Sequence, residues 1–137
     1  MHSRRTLLVA AALTCAAIDL VHKALTRAEF HHARTPYLTL VMAALIAALV
    51  VFVPRVPSNV AALGAGVACG GALGNLVSLL AWRQGVPDPL VLVGATRGLA
   101  FNLADLFAVS GDALLLSAVI LHGLQQRAHL REPVRPG

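Results

Sequence analysis

Charged and aromatic residues are scarce in this chain of 137 residues. Asp, Glu, Lys and Arg make up 12% of it and Phe, Trp and Tyr 4%, whereas a soluble domain has roughly 25% charged residues. A water-soluble fold is therefore excluded. The eleven Lys and Arg give a formal net charge of +5, but they lie at the edges of apolar runs, without the interleaved aromatic residues that stack on bases. We expect no nucleic-acid partner.

Motifs for metals and cofactors are also missing. The histidines lack ligand spacing with cysteines or acids, and the glycines form no phosphate-binding loop. We therefore expect no cofactor and no metal. The two cysteines, Cys15 and Cys69, lie inside apolar runs, where cysteine usually acts as a small apolar side chain.

Hydrophobic residues, by contrast, make up 58% of the chain and give it a mean hydropathy of +0.76. Four apolar segments, at about 6–25, 36–53, 60–82 and 99–124, approach the roughly 20 residues that cross a bilayer as a helix. We predict an all-α, four-helix membrane bundle that forms a single domain over 1–137, with an outer loop at 83–98 and a basic tail at 125–137. The first apolar run continues past Cys15, so we expect it to be retained rather than cleaved as a signal peptide. Glycines at 64, 66, 70, 71 and 74 would let the third helix pack closely against its neighbours.

Arginines beside the apolar segments predict the orientation in the membrane. One side would hold Arg4, Arg5, Arg55, Arg127, Arg131 and Arg135. The other side would hold Arg27, Arg34, Arg83 and Arg97. Because cytoplasmic segments carry the excess of Lys and Arg, we expect both termini in the cytoplasm and the 83–98 loop outside.

With this orientation, polar residues collect near the outer end of the bundle. They are Asp19, His22, Lys23, Asn75, Ser78, Asn102 and Asp105, with Asp88 in the outer loop. An Asp at the centre of a membrane helix costs about 2.5 to 3.5 kcal/mol on insertion scales. Such a cluster therefore predicts a functional site at the membrane boundary.

Structural roles are the alternative for several of these residues. Asp19 and Lys23 are four residues apart and suit an ion pair within one helix. Asn75 and Ser78 suit hydrogen bonds between helices. Asp88 lies between two prolines and suits a solvated turn.

A pair of carboxyl groups, Asp88 and Asp105, is the candidate for chemistry. Two carboxyl groups that share a site with little water resist ionising together, so the pair retains one proton. One member can then act as a base toward water while the other donates a hydrogen bond to the carbonyl under attack. Asp105 follows Asn102 by three residues, on the same helical face.

Asp112 lies seven residues after Asp105, on the same face but two turns deeper. We expect Ser78 or Asn75 to satisfy its carboxyl group across the helix interface. In an alternative interpretation, Asp105 and Asp112 form a proton or cation path in a small transport or channel subunit.

Four motifs follow one another along the chain: DLVHK at 19–23, GGALGN at 70–75, GVPDPLVL at 85–92 and AFNLAD at 100–105. In order and spacing they resemble the lipoprotein signal peptidases (signal peptidase II), which are four-helix bacterial membrane aspartic proteases. The resemblance implies that Asp88 and Asp105 are the catalytic pair. It implies that Asn75 and Asn102 position them or the substrate backbone, and that Asp19 and Lys23 support the site.

The same resemblance implies a substrate and a location. The substrate would be a lipid-modified prolipoprotein, cut before its diacylglyceryl-cysteine at the outer interface. The protein would be a multi-pass protein of the bacterial cytoplasmic membrane, surrounded by membrane lipids.

Three features depart from the family pattern. Ser78 stands where the family has an acid, and only about ten residues replace the longer outer segment after the first helix. Pro87 and Pro89 flank Asp88, and since proline lacks a backbone N–H we expect weakened strand pairing around a substrate. A non-catalytic relative that binds a membrane partner is therefore the alternative function.

Overall fold

A computed structural model describes residues 2–33, 35–93 and 98–131. Most of these residues belong to helices: α1 (His2–Leu25), α2 (Pro36–Phe52), α3 (Asn59–Ala81) and α4 (Leu103–Arg131). A 3-10 turn, Val53–Arg55, follows α2. Short strands connect the helices at one end of the bundle: β1 (Phe30–His32), β2 (Val86–Asp88), β3 (Leu90–Val93) and β4 (Gly98–Phe101). The all-α expectation is therefore corrected to a mostly helical fold with small strand pairs.

Three of the described helices, α1, α3 and α4, are long and apolar enough to cross a membrane. Helix α2 is shorter, because its 17 residues rise about 25 Å at 1.5 Å per residue, against a hydrocarbon core of about 30 Å. The helices also expose large apolar side chains, including Leu13, Val21, Leu116 and Ile120. A surface of this kind suits contact with lipid rather than water.

Helix α3 lies at the centre of the bundle and packs against α1, α2 and α4. Its small residues allow this close approach. A Cβ atom on Gly66 would lie 2.5 Å from the carbonyl oxygen of Leu8 in α1, and one on Gly64 would lie 2.6 Å from the amide nitrogen of Leu115 in α4. The predicted role of the α3 glycines in close helix packing is confirmed.

The strands form two antiparallel pairs. Strand β1 pairs with β2, with Phe30 opposite Asp88, and β3 pairs with β4, with Leu90 opposite Phe101. Proline does not prevent the pairing of β2 with β1, since Pro87 lies within β2 opposite His31. In a two-stranded sheet each strand has an unpaired edge, where the missing N–H of proline costs no ladder hydrogen bond. The expectation of weakened pairing around a substrate stays a prediction.

The fourth helix differs from the predicted 99–124 at both ends. Residues 98–101 form β4, because they pair with the preceding strand β3, and α4 begins at Leu103 and continues to Arg131. It thus includes the first part of the predicted 125–137 tail. Residues 94–97 of the predicted loop and 132–137 of the tail lie outside the described residues, as do Arg34, Arg97 and Arg135 of the orientation argument.

Candidate functional site

The ion pair of α1 is buried at the strand-bearing end of the bundle. Lys23 Nζ lies 2.7 Å from Asp19 Oδ2, and neither side chain is exposed. The spacing of four residues stacks the two side chains on one helical face. Lys23 also donates to Asn75 Oδ1 at 2.8 Å and to Ser78 Oγ at 3.1 Å, both on α3. The lysine therefore joins α1 to α3 as well as balancing Asp19.

Gly74 lets α3 approach this ion pair. A Cβ atom at position 74 would lie 2.5 Å from Asp19 Oδ2, so any larger residue would collide with the carboxylate. One turn later, the hydroxyl of Ser78 donates to the carbonyl oxygen of Gly74 at 2.7 Å. Ser78, where the resembled family has an acid, therefore accepts a hydrogen bond from Lys23 and donates one within its own helix.

Asn75 connects the lysine to one of the two candidate catalytic carboxylates. While its Oδ1 accepts from Lys23, its Nδ2 donates to Asp105 Oδ1 at 2.9 Å. The side chain is 3% exposed, so both halves of the amide are used inside the bundle. The hydrogen bonds between helices expected for Asn75 are therefore confirmed, and they join α3 to both α1 and α4.

Asn102 and Asp105 form a reciprocal cap at the start of α4. The Asp105 N–H donates to Asn102 Oδ1 at 3.1 Å, and the Asn102 N–H donates to Asp105 Oδ2 at 3.2 Å. This is the capping-box arrangement, here with Asn and Asp three residues apart. These two hydrogen bonds cap the start of α4 and also hold the Asp105 carboxylate in place.

Unpaired N–H groups at the start of α4 also bind Asp19. Asp19 Oδ1 accepts from the Ala104 N–H at 2.8 Å. The first turn of a helix carries partial positive charge and N–H groups without intrahelical partners, which favour carboxylates. Asp19 and Asp105 both lie where this field offsets part of the cost of burying them.

Asp88 reaches the site from strand β2. Its side chain is 1% exposed, and its Oδ1 accepts from Asn102 Nδ2 at 2.6 Å. Its Oδ2 is in contact with Nδ1 of His32 on strand β1. Asn102 therefore bonds both candidate catalytic residues, Asp88 through its side-chain nitrogen and Asp105 through its backbone N–H and side-chain oxygen.

Both aspartates line one cavity of about 460 Å³. Its remaining lining residues are His32, Ala33, Leu99, Ala100 and Phe101. The cavity wall is therefore largely apolar and brings both carboxyl groups to one surface. Among the residues that the structure describes, no three His, Cys, Asp or Glu side chains cluster so as to hold a metal ion.

Asp112 is not part of this network, and the expectation that Ser78 or Asn75 would satisfy it is wrong. Those two side chains bond Lys23, and Asn75 also bonds Asp105. Asp112 is exposed and lines a separate cavity of about 110 Å³ together with residues of α2 and α3, including Met42 and Cys69. Seven residues along a helix is about 10 Å, which removes Asp112 from the polar end of the bundle.

His32 is the site residue that sequence reasoning did not single out. It lies in the short segment between α1 and α2, far from Asp88 along the chain, and reaches it only through the pairing of β1 with β2. A histidine in a short connecting segment matches no motif, so the sequence offered no sign of this contact.

The chain is thus a helical membrane protein with a buried polar network that fixes two aspartates on the wall of one cavity. Comparison with known families identifies it further. Residues 20–121 match the model of the signal peptidase (SPase) II family, and the chain belongs to that family. This is an aspartic peptidase family that acts on lipoproteins in membranes. A search of curated proteins finds no match.

Proposed function

We propose that this chain is a membrane aspartic endopeptidase that removes signal peptides from diacylglyceryl-modified prolipoproteins. The observation that supports it best is the shared cavity of Asp88 and Asp105, with Asn102 bonded to both. Family membership supports the reaction class.

In the proposed reaction, one aspartate takes a proton from a water molecule, whose oxygen attacks the scissile carbonyl carbon. The other aspartate, protonated, donates a hydrogen bond to the carbonyl oxygen. When the C–N bond breaks, a proton passes to the nitrogen of the leaving cysteine. The products are a signal peptide with a new carboxylate and a lipoprotein with a new amino terminus.

The positioning residues act on the carboxylates rather than on the substrate. Asn75 and Asn102 donate N–H groups to carboxylate oxygens. Lys23 orients Asn75 by bonding its oxygen, and Asp19 holds both Lys23 and the start of α4. Groups already aimed before substrate arrives need no rearrangement during the reaction.

The proposal includes an orientation. With both termini in the cytoplasm, the cavity lies near the outer face of the bacterial cytoplasmic membrane, where the lipid anchor of a prolipoprotein would hold its scissile bond. The strands that surround the cavity expose apolar side chains, among them Leu92, Val93 and Leu99. Such a surface suits contact with lipid chains or with an apolar signal peptide.

Cleavage of a lipidated precursor in liposomes tests the proposal. Asp88→Asn and Asp105→Asn should each abolish cleavage, and Asp112→Asn, which removes a carboxylate outside the network, should leave it unchanged. A known signal peptidase II serves as the positive control. If that enzyme cuts the precursor and the wild-type chain does not, the protein is a non-catalytic relative.

A further inference from the structure

The strand register places His32 on the same side of the β1–β2 pair as Asp88. Phe30 lies directly opposite Asp88, and His32 lies two residues further along β1. Since side chains alternate along a strand, His32 shares a face with Phe30 and is a diagonal neighbour of Asp88. His31, opposite Pro87, points to the other face.

Gly85 brings strand β1 close enough for this contact. It has a φ of 103°, in the region that only glycine adopts readily, and a Cβ atom there would lie 2.7 Å from the carbonyl oxygen of His32. The turn before β2 therefore holds the backbone of His32 directly against the segment that presents Asp88.

His32 completes the set of donors around Asp88. Asn102 Nδ2 bonds Oδ1, and His32 Nδ1 contacts Oδ2. When Asp88 is ionised it only accepts hydrogen bonds, and in that state the contact needs the proton on Nδ1. The Asp88 side chain is 1% exposed and that of His32 is 63% exposed. The contact therefore joins a buried carboxylate to an exposed imidazole, and both residues line the cavity.

We propose that His32 is a positioning residue for Asp88. The Nδ1–H group holds Oδ2 while Asn102 holds Oδ1, which fixes the plane of the carboxylate on the cavity wall. The short segment between α1 and α2 contains strand β1, which carries the His32 side chain that supports Asp88. The role rests on the proposed function, since it acts on the carboxylate that activates or polarises the reactants.

Kinetics of three variants on the lipidated precursor test the role. His32→Ala should lower kcat about tenfold, as expected for loss of one partly exposed hydrogen bond to a charged group, and should change KM less than about twofold. His32→Asn places an amide N–H near the position of Nδ1 and should restore most of kcat. His31→Ala, the matched control on the opposite face, should behave as wild type.

Any of four kinetic results would overturn the positioning role of His32. The role is overturned if His32→Ala keeps kcat within about twofold of wild type, if His31→Ala loses as much, or if His32→Asn is no better than His32→Ala. A loss confined to KM also overturns it, because that result would make His32 a substrate-binding residue.

A measurement independent of cleavage tests the contact itself. In full-length protein labelled with ¹⁵N-histidine in detergent micelles, the wild type and His31→Ala should show a downfield Nδ1–H resonance. That resonance should be lost in Asp88→Ala and His32→Asn, with the other histidine signals unmoved. If it persists in Asp88→Ala, the hydrogen bond does not exist and the inference fails. If it behaves as expected while no precursor is cut, the proposed function fails instead, and the contact of His32 with Asp88 is then a structural one.

Discussion

Lys23→Met removes the charge at the centre of the polar network while keeping a side chain of similar length. The Lys23 ammonium group is buried and donates to Asp19 at 2.7 Å, Asn75 at 2.8 Å and Ser78 at 3.1 Å. In the variant, Asp19 keeps the Ala104 N–H but loses its cationic partner in a fully buried position. Breaking a buried ion pair from one side costs about 3 to 5 kcal/mol. We expect unfolding free energy to fall by that amount.

Unfolding by SDS in mixed micelles, followed by the fluorescence of Trp82, measures this loss, since Trp82 is the single tryptophan. Asp19→Asn combined with Lys23→Met removes both charges and keeps an oxygen for the Ala104 N–H. It should be more stable than Lys23→Met alone by about 1 kcal/mol or more. Arg83→Met, at an exposed cation, is the matched control and should unfold as wild type.

Either of two results would contradict a role for the buried Lys23 charge in stability. Lys23→Met could lie within about 1 kcal/mol of wild type, which would mean that the Asp19 carboxylate is adequately solvated without the lysine. Alternatively, the double variant could be less stable than Lys23→Met, which would mean that the loss comes from packing rather than from an unpaired charge.

Three further substitutions, two within the polar network and one outside it, have distinct expected outcomes. Asn102→Ala removes the cap of α4 and the hydrogen-bond donor to Asp88. It should cost about 1 kcal/mol of stability and lower kcat at least about tenfold. A kcat equal to that of wild type would contradict the role of the amide. Gly74→Ala forces a Cβ atom against Asp19 and should lower the free energy of unfolding by about 1 to 3 kcal/mol. Gly123→Ala, with nothing within 4 Å of the new atom, should not lower it. Equal losses would show that the collision at position 74 is relieved. Asp112→Leu should raise stability by about 1 kcal/mol or more, and a fall would reveal a stabilising partner for that carboxylate.

Hydropathy was sufficient to predict the helices but not their ends. The residues of β4 are apolar and read as the start of α4, yet they form a strand, because Leu90 and Leu92 pair with Phe101 and Leu99. Pairing of two four-residue strands leaves no periodic pattern in so short a run. The true start of α4 does have a local cause, the Asn102 and Asp105 cap, and that pattern can be read from the sequence.

Within the site, contacts encoded by local spacing were predictable and those made by folding were not. The Asp19 and Lys23 pair follows from a spacing of four residues. The Asn102 contact with Asp88 and the His32 contact with Asp88 depend on strand pairing and loop closure. The spacing of Asn75 and Ser78 predicted hydrogen bonds between helices, and the Ser78 bond with Lys23 shows that a hydroxyl at that position belongs to the network.

Asp105 and Asp112 together explain why the site lies at the first turn of α4. Asp105 accepts from the Asn102 N–H and from Asn75 beside a helix start rich in unpaired N–H groups. Two turns deeper every backbone N–H is used within the helix, so a carboxylate there depends on side chains alone. The Asp112 carboxylate makes no hydrogen bond to a residue that the structure describes. A carboxylate moved one turn along α4 would lose these donors, and it would also leave the reach of Asn102, the residue that ties it to Asp88. The position of the pair is therefore set by the energetics of the helix start as much as by the chemistry.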